Sequence, residues 1–250
     1  YEGSPTPVTA FFSVAPKLAG LGLLIRFTGT VFPSHSIASD FNWPIIISIL
    51  SAITMTIGNV LAIKQSNIKR MLAYSSISHI GFIMMSLCVY TSNGNLSAIL
   101  LYSFVYLFMN LGAFFMVIYA ESSLGYKTFD DWNGFGLKVP FWGAMMSLNL
   151  IALTGLPPTS GFIAKFYIFS DLISSKEFFW LAIIGGINAV ISLYYYFRLL
   201  KHMYFLKESD KKIKKPSILL GLVIGLFSVQ TLLFYFYWNP LVELFRGINL

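Results

Sequence analysis

The chain has 250 residues, of which 56% are hydrophobic and only 11% are charged, and its formal net charge is +7. Soluble domains carry about 25% charged residues, so this composition excludes an ordinary cytosolic enzyme, a nucleic-acid-binding module and a disordered tail. The mean hydropathy of +0.73 and the basic balance instead indicate a protein embedded in a lipid bilayer, with loops that face an anionic membrane surface.

Cofactor signatures are missing from the sequence. The one cysteine cannot form an internal disulfide, and a zinc or iron–sulfur site needs several ligands. With no haem, flavin or dinucleotide motif, we expect no cofactor and no metal in this chain. The first residue is Tyr1, and no charged segment precedes an apolar one. We therefore expect no signal peptide, and we expect the chain to be part of something larger.

Seven stretches are long and apolar enough to cross about 30 Å of hydrocarbon. None alternates with period two over about ten residues, which argues against a β-barrel. The predicted fold class is therefore all-α, a polytopic transmembrane helix bundle. Tyr194, Tyr195 and Tyr196 fall near the end of one stretch, which indicates an interfacial aromatic belt. In chain order, the predicted spans are 7–27, 43–63, 71–90, 97–119, 140–172, 178–200 and 217–238.

The fifth stretch would be about 50 Å long as one straight helix at 1.5 Å per residue. Its middle contains Gly155, Pro157, Pro158 and Gly161. Two consecutive prolines remove two backbone donors and clash with the preceding turn. We therefore predict a discontinuous helix broken near 155–161, a feature that marks ion pathways in transporters. A kinked but continuous helix is the alternative.

Lysine and arginine concentrate in alternate connections between the predicted spans. One side has eleven of these residues, and the other has two, Lys176 and Arg246. This asymmetry predicts that the first side faces the cytoplasm. The connections of the first side are 64–70, 120–139 and 201–215. Those of the second side are 32–42, 91–96, 173–177 and the tail from 239.

Two lysines fall within predicted spans. Lys17 lies about 15 Å beyond Pro7 along a helix, and Lys165 follows the proposed break. An ammonium at such depth is costly, and desolvation brings the charged and neutral forms of a lysine close in free energy. That is what a proton relay requires. The alternative is a structural cation that pairs with backbone carbonyls or with a neighbouring subunit.

His79 lies in the third span among serines, where an imidazole could pass protons through bound water. The alternative is a hydrogen-bonded core histidine. No Asp or Glu falls in the middle of a span. Four asparagines do, and we expect them to form hydrogen bonds between helices. They are Asn59, Asn110, Asn149 and Asn188.

Three segments carry a family resemblance. They are YEGSPTPVT at 1–9 leading to Pro16-Lys17, NIKRMLAYSSISH at 67–79 and GLPPTSGFIAKF at 155–166. Together they resemble the antiporter-like membrane subunits of respiratory complex I (NADH:quinone oxidoreductase). The Pro-Lys pair at Lys17 and the Ala-Lys-Phe sequence around Lys165 are more similar to subunit N, the mitochondrial subunit 2 equivalent, than to the related L and M subunits.

The resemblance implies the C-terminal half of a 14-helix subunit built from two inverted repeats. Lys17 would correspond to the central lysine, and Lys165 to the lysine of the broken helix. The implied function couples electron transfer from NADH to quinone with proton pumping in a bacterial inner membrane. NADH, FMN, iron–sulfur clusters and quinone would belong to partner subunits, and further antiporter-like subunits would be neighbours.

Two other functions stay open at the level of sequence, because one scaffold can support several activities. The chain could be a subunit of a multisubunit Na⁺/H⁺ antiporter or of a membrane-bound hydrogenase. It could also be a structural spacer whose lysines only pair with neighbouring groups.

Overall fold

The computed structural model describes residues 3–31, 42–93, 96–207 and 216–247. Within these ranges the regular structure is helical, and the β-type pairing consists of an isolated bridge between Asn67 and Thr128. The predicted all-α class is confirmed. The helices are α1 (Thr6–Val31), α2 (Trp43–Ile63), α3 (Ile68–Asn93), α4 (Ser97–Leu124), α5 (Phe135–Lys138), α6 (Pro140–Thr154), α7 (Ser160–Ser175), α8 (Phe179–Phe205), α9 (Ile218–Phe236) and α10 (Trp238–Arg246).

Six of the described helices are long and apolar enough to cross a membrane, namely α1 to α4, α8 and α9. The fifth predicted stretch is occupied by two short helices, since α6 ends at Thr154 and α7 begins at Ser160. The predicted discontinuous helix is therefore confirmed, and a continuous kinked helix is excluded. Each half is about 22–24 Å long, too short to cross the hydrocarbon alone. The segment Asp130–Lys138 meets α6 at an angle of 116°.

The bundle is built around α4, which packs against α1, α3, α6, α7 and α9. Both halves of the broken helix therefore rest on the same central helix. The outer helices leave apolar side chains exposed, as lipid-facing surfaces require. Examples are Leu23, Ile57, Val190 and Leu222.

The connections rich in lysine and arginine meet at one end of the bundle. The N–H of Ile68 donates to the carbonyl of Lys127 at 3.0 Å, and the N–H of Gly134 donates to the carbonyl of His202 at 3.0 Å. These bonds join the connections 64–70 and 120–139 and the start of 201–215, as an alternating topology requires. Three predicted connections lie partly outside the described residues, at 32–41, 94–95 and 208–215.

Arg198 fastens α8 to α2 at this end. Its guanidinium donates to the carbonyls of Ile63 at 3.2 Å and Gln65 at 2.9 Å, and it lies 3.8 Å from the centroid of the Phe129 ring. A cation near a helix C-terminus is favourable because the last carbonyls carry partial negative charge. Sequence reasoning missed this role, because its partners are backbone carbonyls of a segment distant in the sequence.

Candidate functional site

The first half of the broken helix ends in a Schellman motif. Gly155 has a φ of +84°, and its N–H donates to the carbonyl of Ala152 at 3.0 Å. The N–H of Leu156 donates to the carbonyl of Ile151 at 3.2 Å. A helix leaves its last four carbonyls without helical donors, and this motif satisfies two of them. The last two carbonyls of α6, those of Leu153 and Thr154, require other donors.

Lys165 supplies these donors from the second half of the same broken helix. Its ammonium donates to the carbonyl of Thr154 at 2.7 Å and to that of Leu153 at 3.4 Å. The ammonium also lies 4.7 Å from the centroid of the Phe82 ring, and the residue is only 5% exposed. The partial negative charge of a helix C-terminus and the face of an aromatic ring both attract a cation. The break therefore creates a buried cation site.

The two glycines of the break make the close packing possible. A Cβ on Gly155 would lie 2.6 Å from Cδ of Lys165, and a Cβ on Gly161 would overlap the carbonyl oxygen of Ala152. By contrast, Pro157 and Pro158 are exposed in the connecting segment. The prolines thus keep the helix from continuing, whereas the glycines let its two halves and Lys165 approach each other.

The Gly161→Ala substitution is expected to push α7 away from α6, because a backbone carbonyl cannot yield as a flexible side chain would. Overpacking of this kind costs about 1–3 kcal/mol. We expect a several-fold loss of folded protein in membranes, measured as the fraction that survives detergent extraction and heating. Gly186→Ala in α8 is the matched control, since a Cβ there meets nothing within 4 Å. Equal stability of the two variants would contradict this packing.

Lys17 lies on α1 next to Pro16, and its ammonium donates to the hydroxyl of Ser76 on α3. The Ser76 hydroxyl in turn donates to the carbonyl of Ala73 at 2.6 Å. Lys17 is partly exposed, unlike Lys165. The structure thus places the two lysines in different environments. Lys17 is partly exposed and bonds a hydroxyl, whereas Lys165 is buried and bonds backbone carbonyls.

His79 lies within the core between two tyrosines. Its Nδ1 is 2.8 Å from the hydroxyl of Tyr102, and its Nε2 is 3.2 Å from the hydroxyl of Tyr196. Sequence reasoning missed both partners. The interfacial interpretation was wrong for Tyr195 and Tyr196, which are fully buried. Their position near the end of a predicted span gave no information about which side of α8 faces the core.

The helix α3 brings the three predicted site residues into one region. Ser76 contacts Lys17 and Phe82 contacts Lys165, and His79 is halfway between Ser76 and Phe82 in the sequence of α3. The spacing of three residues places these side chains on successive turns of α3, about 9 Å apart from first to last. Lys17 on α1, His79 on α3 and Lys165 on α7 therefore lie along the same stretch of α3, with His79 and Lys165 buried and Lys17 partly exposed.

The four asparagines within the spans form hydrogen bonds between helices, as predicted. The pairs are Asn59 with Asn188, Asn110 with Ser13, and Asn149 with Ser228. Among the described residues, no three His, Cys, Asp or Glu side chains come together in a metal-binding group.

A sequence-family model described as the transmembrane part of NADH:quinone oxidoreductase and Mrp antiporters matches residues 1–192. The chain belongs to this family. The resemblance to its complex I members, and to subunit N in particular, is confirmed by the relatives below. Lys17, His79 and Lys165 all lie within the matched region of this antiporter-family chain.

Among curated proteins, NADH-quinone oxidoreductase subunit N 2 of Sorangium cellulosum is 45% identical over 97% of this chain and 49% of its own length. Subunit N 2 of Chloroherpeton thalassium is 40% identical over 96% of this chain and 48% of its own length. The chain thus spans about half the length of these relatives.

Solved structures share the fold. A chain of an archaeal membrane-bound sulfane sulfur reductase superposes with a TM-score of 0.86 at 26% identity, over 97% of this chain and 48% of that one. A chain of Thermus thermophilus respiratory complex I gives a TM-score of 0.77 at 23% identity, over 97% of this chain and 52% of that one. A chain of the Mrp complex of a Dietzia species gives a TM-score of 0.84 at 19% identity, over 96% of this chain and 52% of that one.

Proposed function

We propose that this chain is a proton-translocating part of the membrane arm of an NADH:quinone oxidoreductase. In this proposal it carries no redox centre, and NADH, FMN, iron–sulfur clusters and quinone belong to partner subunits. The other antiporter-like subunits of the complex are its neighbours in a bacterial inner membrane. The eleven-to-two asymmetry of lysine and arginine supports a cytoplasmic position for the connections 64–70, 120–139 and 201–215.

One observation carries the proposal, namely that the enclosed ammonium of Lys165 is held by the neutral carbonyls of Leu153 and Thr154. Neutral acceptors stabilise an ammonium less than a carboxylate does, while a dry environment disfavours its charge. Both the charged and the neutral form of Lys165 are therefore accessible. A lysine that takes up and releases protons needs this property. A structural cation could make the same contacts with backbone carbonyls, and the arginine variant at Lys165 distinguishes the two roles.

The proposed path runs from Lys17 past His79 to Lys165. Lys17 on α1 is the proposed uptake group, whereas Lys165 lies on α7, whose far end leads to the connection 173–177. Two positive charges in one low-dielectric region repel each other. A proton on Lys165 thus disfavours a second on Lys17, and release towards the outer side resets the pair.

A copurification experiment tests the assignment to a redox complex. We expect partners that contain flavin and iron–sulfur clusters, detected by optical and paramagnetic spectroscopy of the purified assembly. The alternative is an antiporter or hydrogenase subunit, and the shared fold of the Mrp and sulfane sulfur reductase chains keeps it worth testing. Exclusively small membrane proteins as partners would favour the antiporter. The 45% identity to subunit N favours the oxidoreductase.

Replacing Lys17 by arginine is expected to lower NADH-driven proton transport by at least about tenfold, whereas a positioned acid–base group usually contributes about a hundredfold or more. An arginine can still donate to Ser76, but it does not release a proton at physiological pH. The measurement is acidification of inverted membrane vesicles. Arg26→Lys is the control, because Arg26 is an exposed cation on the same helix, and it should leave transport unchanged. Normal transport in Lys17→Arg would exclude Lys17 from the path.

A further inference from the structure

A groove of about 710 Å³ runs along the outside of the bundle, where α8 lies beside α6. Its lining residues recur every three or four positions on each helix, so each wall is one helix face. Most of them are apolar, and Phe197 and Phe205 are exposed, so the groove opens to the surroundings of the bundle. The wall from α6 consists of Ala144, Ser147, Leu148 and Ile151, and the wall from α8 consists of Phe197, Leu200, Lys201, Tyr204 and Phe205.

The polar end of this groove is held in shape by Tyr204. Ser147 donates its proton to the carbonyl of Gly143 at 2.8 Å, so its oxygen accepts from the Tyr204 hydroxyl at 3.0 Å. The Tyr204 ring fits there because Gly136 has no side chain, and a Cβ on Gly136 would overlap the ring. The end of the groove beside Lys201 is therefore a packed and hydrogen-bonded part of the fold.

The groove continues towards the break in the fifth stretch. A second cavity, of about 290 Å³, is lined by the end of α6 and by α7 and α8. Its residue Thr154 follows Ile151 of the first cavity by about one turn of α6. On α8, its residue Leu193 precedes Phe197 of the first cavity by about one turn. The side chain of Lys165 lines this second cavity, so the two cavities lead from Lys201 to Lys165.

The length of the two cavities matches one leaflet of a bilayer. From Val190 in the second cavity to Lys201 in the first, α8 advances eleven residues, which is about 16 Å. One leaflet supplies half of about 30 Å of hydrocarbon, or about 15 Å. Lys201 lies at the end that we propose to face the cytoplasm, so the groove covers the depth of the cytoplasmic leaflet.

Positive charge gathers at this end of the groove. Lys201 also borders a third cavity, of about 720 Å³, together with Arg198 and His202. The carboxylate of Asp130 lies 3.7 Å from Nδ1 of His202 and offsets a charge on that ring, so Lys201 is the better place for an anion. In sequence, the connection 201–215 contains six lysines. Basic clusters next to the cytoplasmic end of a membrane helix attract anionic lipid head groups.

We propose that the groove binds an anionic phospholipid of the cytoplasmic leaflet, with its phosphate at Lys201 and one acyl chain between α6 and α8. The end of that chain fills the cavity beside Lys165. A molecule with one anionic end and an apolar tail matches a groove with a lysine at one end and apolar walls along the rest. A helix of a neighbouring subunit, about 10–12 Å wide, does not enter a seam between two helices that contact each other.

For the proposed proton path, the acyl chain places hydrocarbon rather than water against the side chain of Lys165. This consequence rests on the proposed function, whereas the lipid site itself does not.

Photolabelling of the assembled complex tests the site. The complex is reconstituted in phosphatidylcholine vesicles that contain a small share of phosphatidylglycerol with a photoreactive diazirine at the end of one acyl chain. We expect this probe to attach within 154–156 and 189–193, which line the second cavity, as identified by mass spectrometry of peptides. A phosphatidylcholine probe with the same acyl chain should label these segments about fivefold less, the factor that corresponds to one lysine near a membrane surface.

Two outcomes of this labelling would overturn the proposal. Equal labelling by the two probes would show that the groove is an ordinary lipid-facing surface without a head-group site. No labelling by either probe would show that a neighbouring subunit covers the groove in the assembled complex.

The Lys201→Gln variant tests the position of the phosphate. Glutamine keeps part of the side chain but removes its charge, so labelling by phosphatidylglycerol should fall about fivefold, to the level of phosphatidylcholine. Lys64→Gln is the matched control, because Lys64 is an exposed lysine at the same end of the bundle, after α2. It should leave labelling unchanged. Undiminished labelling in Lys201→Gln would refute a phosphate site at this lysine.

The Leu148→Trp variant tests the path of the acyl chain without changing any charge. Leu148 lies in the wall of the groove between its polar end and the break, and an indole there would occupy the space of the chain. We expect most of the labelling within 154–156 and 189–193 to be lost. Leu222→Trp, the same change at an exposed position of α9, should have no effect. Full labelling in Leu148→Trp would contradict the proposed path.

The lipid site and the proposed function can fail separately. If labelling is as expected but the Lys165→Met and Lys17→Arg variants transport protons normally, the proposed function fails and the lipid site stands. If these variants lose transport but the labelling is absent, the lipid site alone is wrong.

Discussion

Replacing Lys165 by methionine is expected to lower NADH-driven proton transport by about a hundredfold or more, a loss typical of removing an essential acid–base group. Methionine has a similar length and fills the same apolar space, but it has no proton to transfer. The carbonyls of Leu153 and Thr154 lose their donor, which costs about 1–3 kcal/mol. That cost is small enough for the subunit to assemble. The measurements are vesicle acidification and the yield of intact complex on native gels.

The Lys165→Arg variant separates a proton carrier from a structural cation. A guanidinium can still lie against the carbonyls of α6, but it keeps its charge at physiological pH. We expect normal assembly with transport as low as in Lys165→Met. If Lys165 were only a structural cation, arginine would restore transport that methionine abolishes. Lys176→Met is the control, because Lys176 is exposed at the end of α7, and it should behave as the parent.

The Gly155→Ala variant is expected to reduce both the amount of assembled subunit and the transport by what remains. The φ of +84° costs an alanine about 1–2 kcal/mol. In addition, the new Cβ would lie 2.6 Å from Cδ of Lys165 and displace that side chain from its carbonyl partners. We expect at least a tenfold loss of transport per assembled complex, again measured in vesicles.

Gly125→Ala is the matched control for this substitution. Gly125 ends α4 with a φ of +71°, yet a Cβ there meets nothing within 4 Å. Gly125→Ala has only the free-energy cost of a positive φ. The difference in transport per complex between the two variants therefore measures the effect of displacing Lys165. Equal transport per complex in both would show that the position of Lys165 does not depend on Gly155.

The break in the fifth stretch could be predicted because its cause is local. Pro157 and Pro158 lack backbone donors, and this property is readable from the sequence alone. The partners of Lys165 could not be predicted, since backbone carbonyls have no sequence signature. They become available only once α7 folds back against the end of α6. Sequence reasoning located the cation, and the structure shows the site that holds it.

The same limit explains the tyrosines of α8. A window of hydropathy indicates that a helix lies in the membrane, but it does not reveal which side faces other helices. Tyr195 and Tyr196 are fully buried, while Tyr194 beside them is 60% exposed. Their burial depends on α2 and α3, which are distant in the chain. For this reason the partners of His79 were invisible, although His79 itself was identified.

The contact between Lys165 and the end of α6 has a mechanical consequence. The Lys165 ammonium links α7 to the C-terminal end of α6 through hydrogen bonds. Hydrogen bonds from a charged donor are about twice as strong as those from a neutral one. In the proposed cycle, loss of the proton from Lys165 therefore weakens its hydrogen bonds to α6, and return of the proton strengthens them. The distance between α6 and α7 would then depend on the charge of a single atom, Nζ of Lys165.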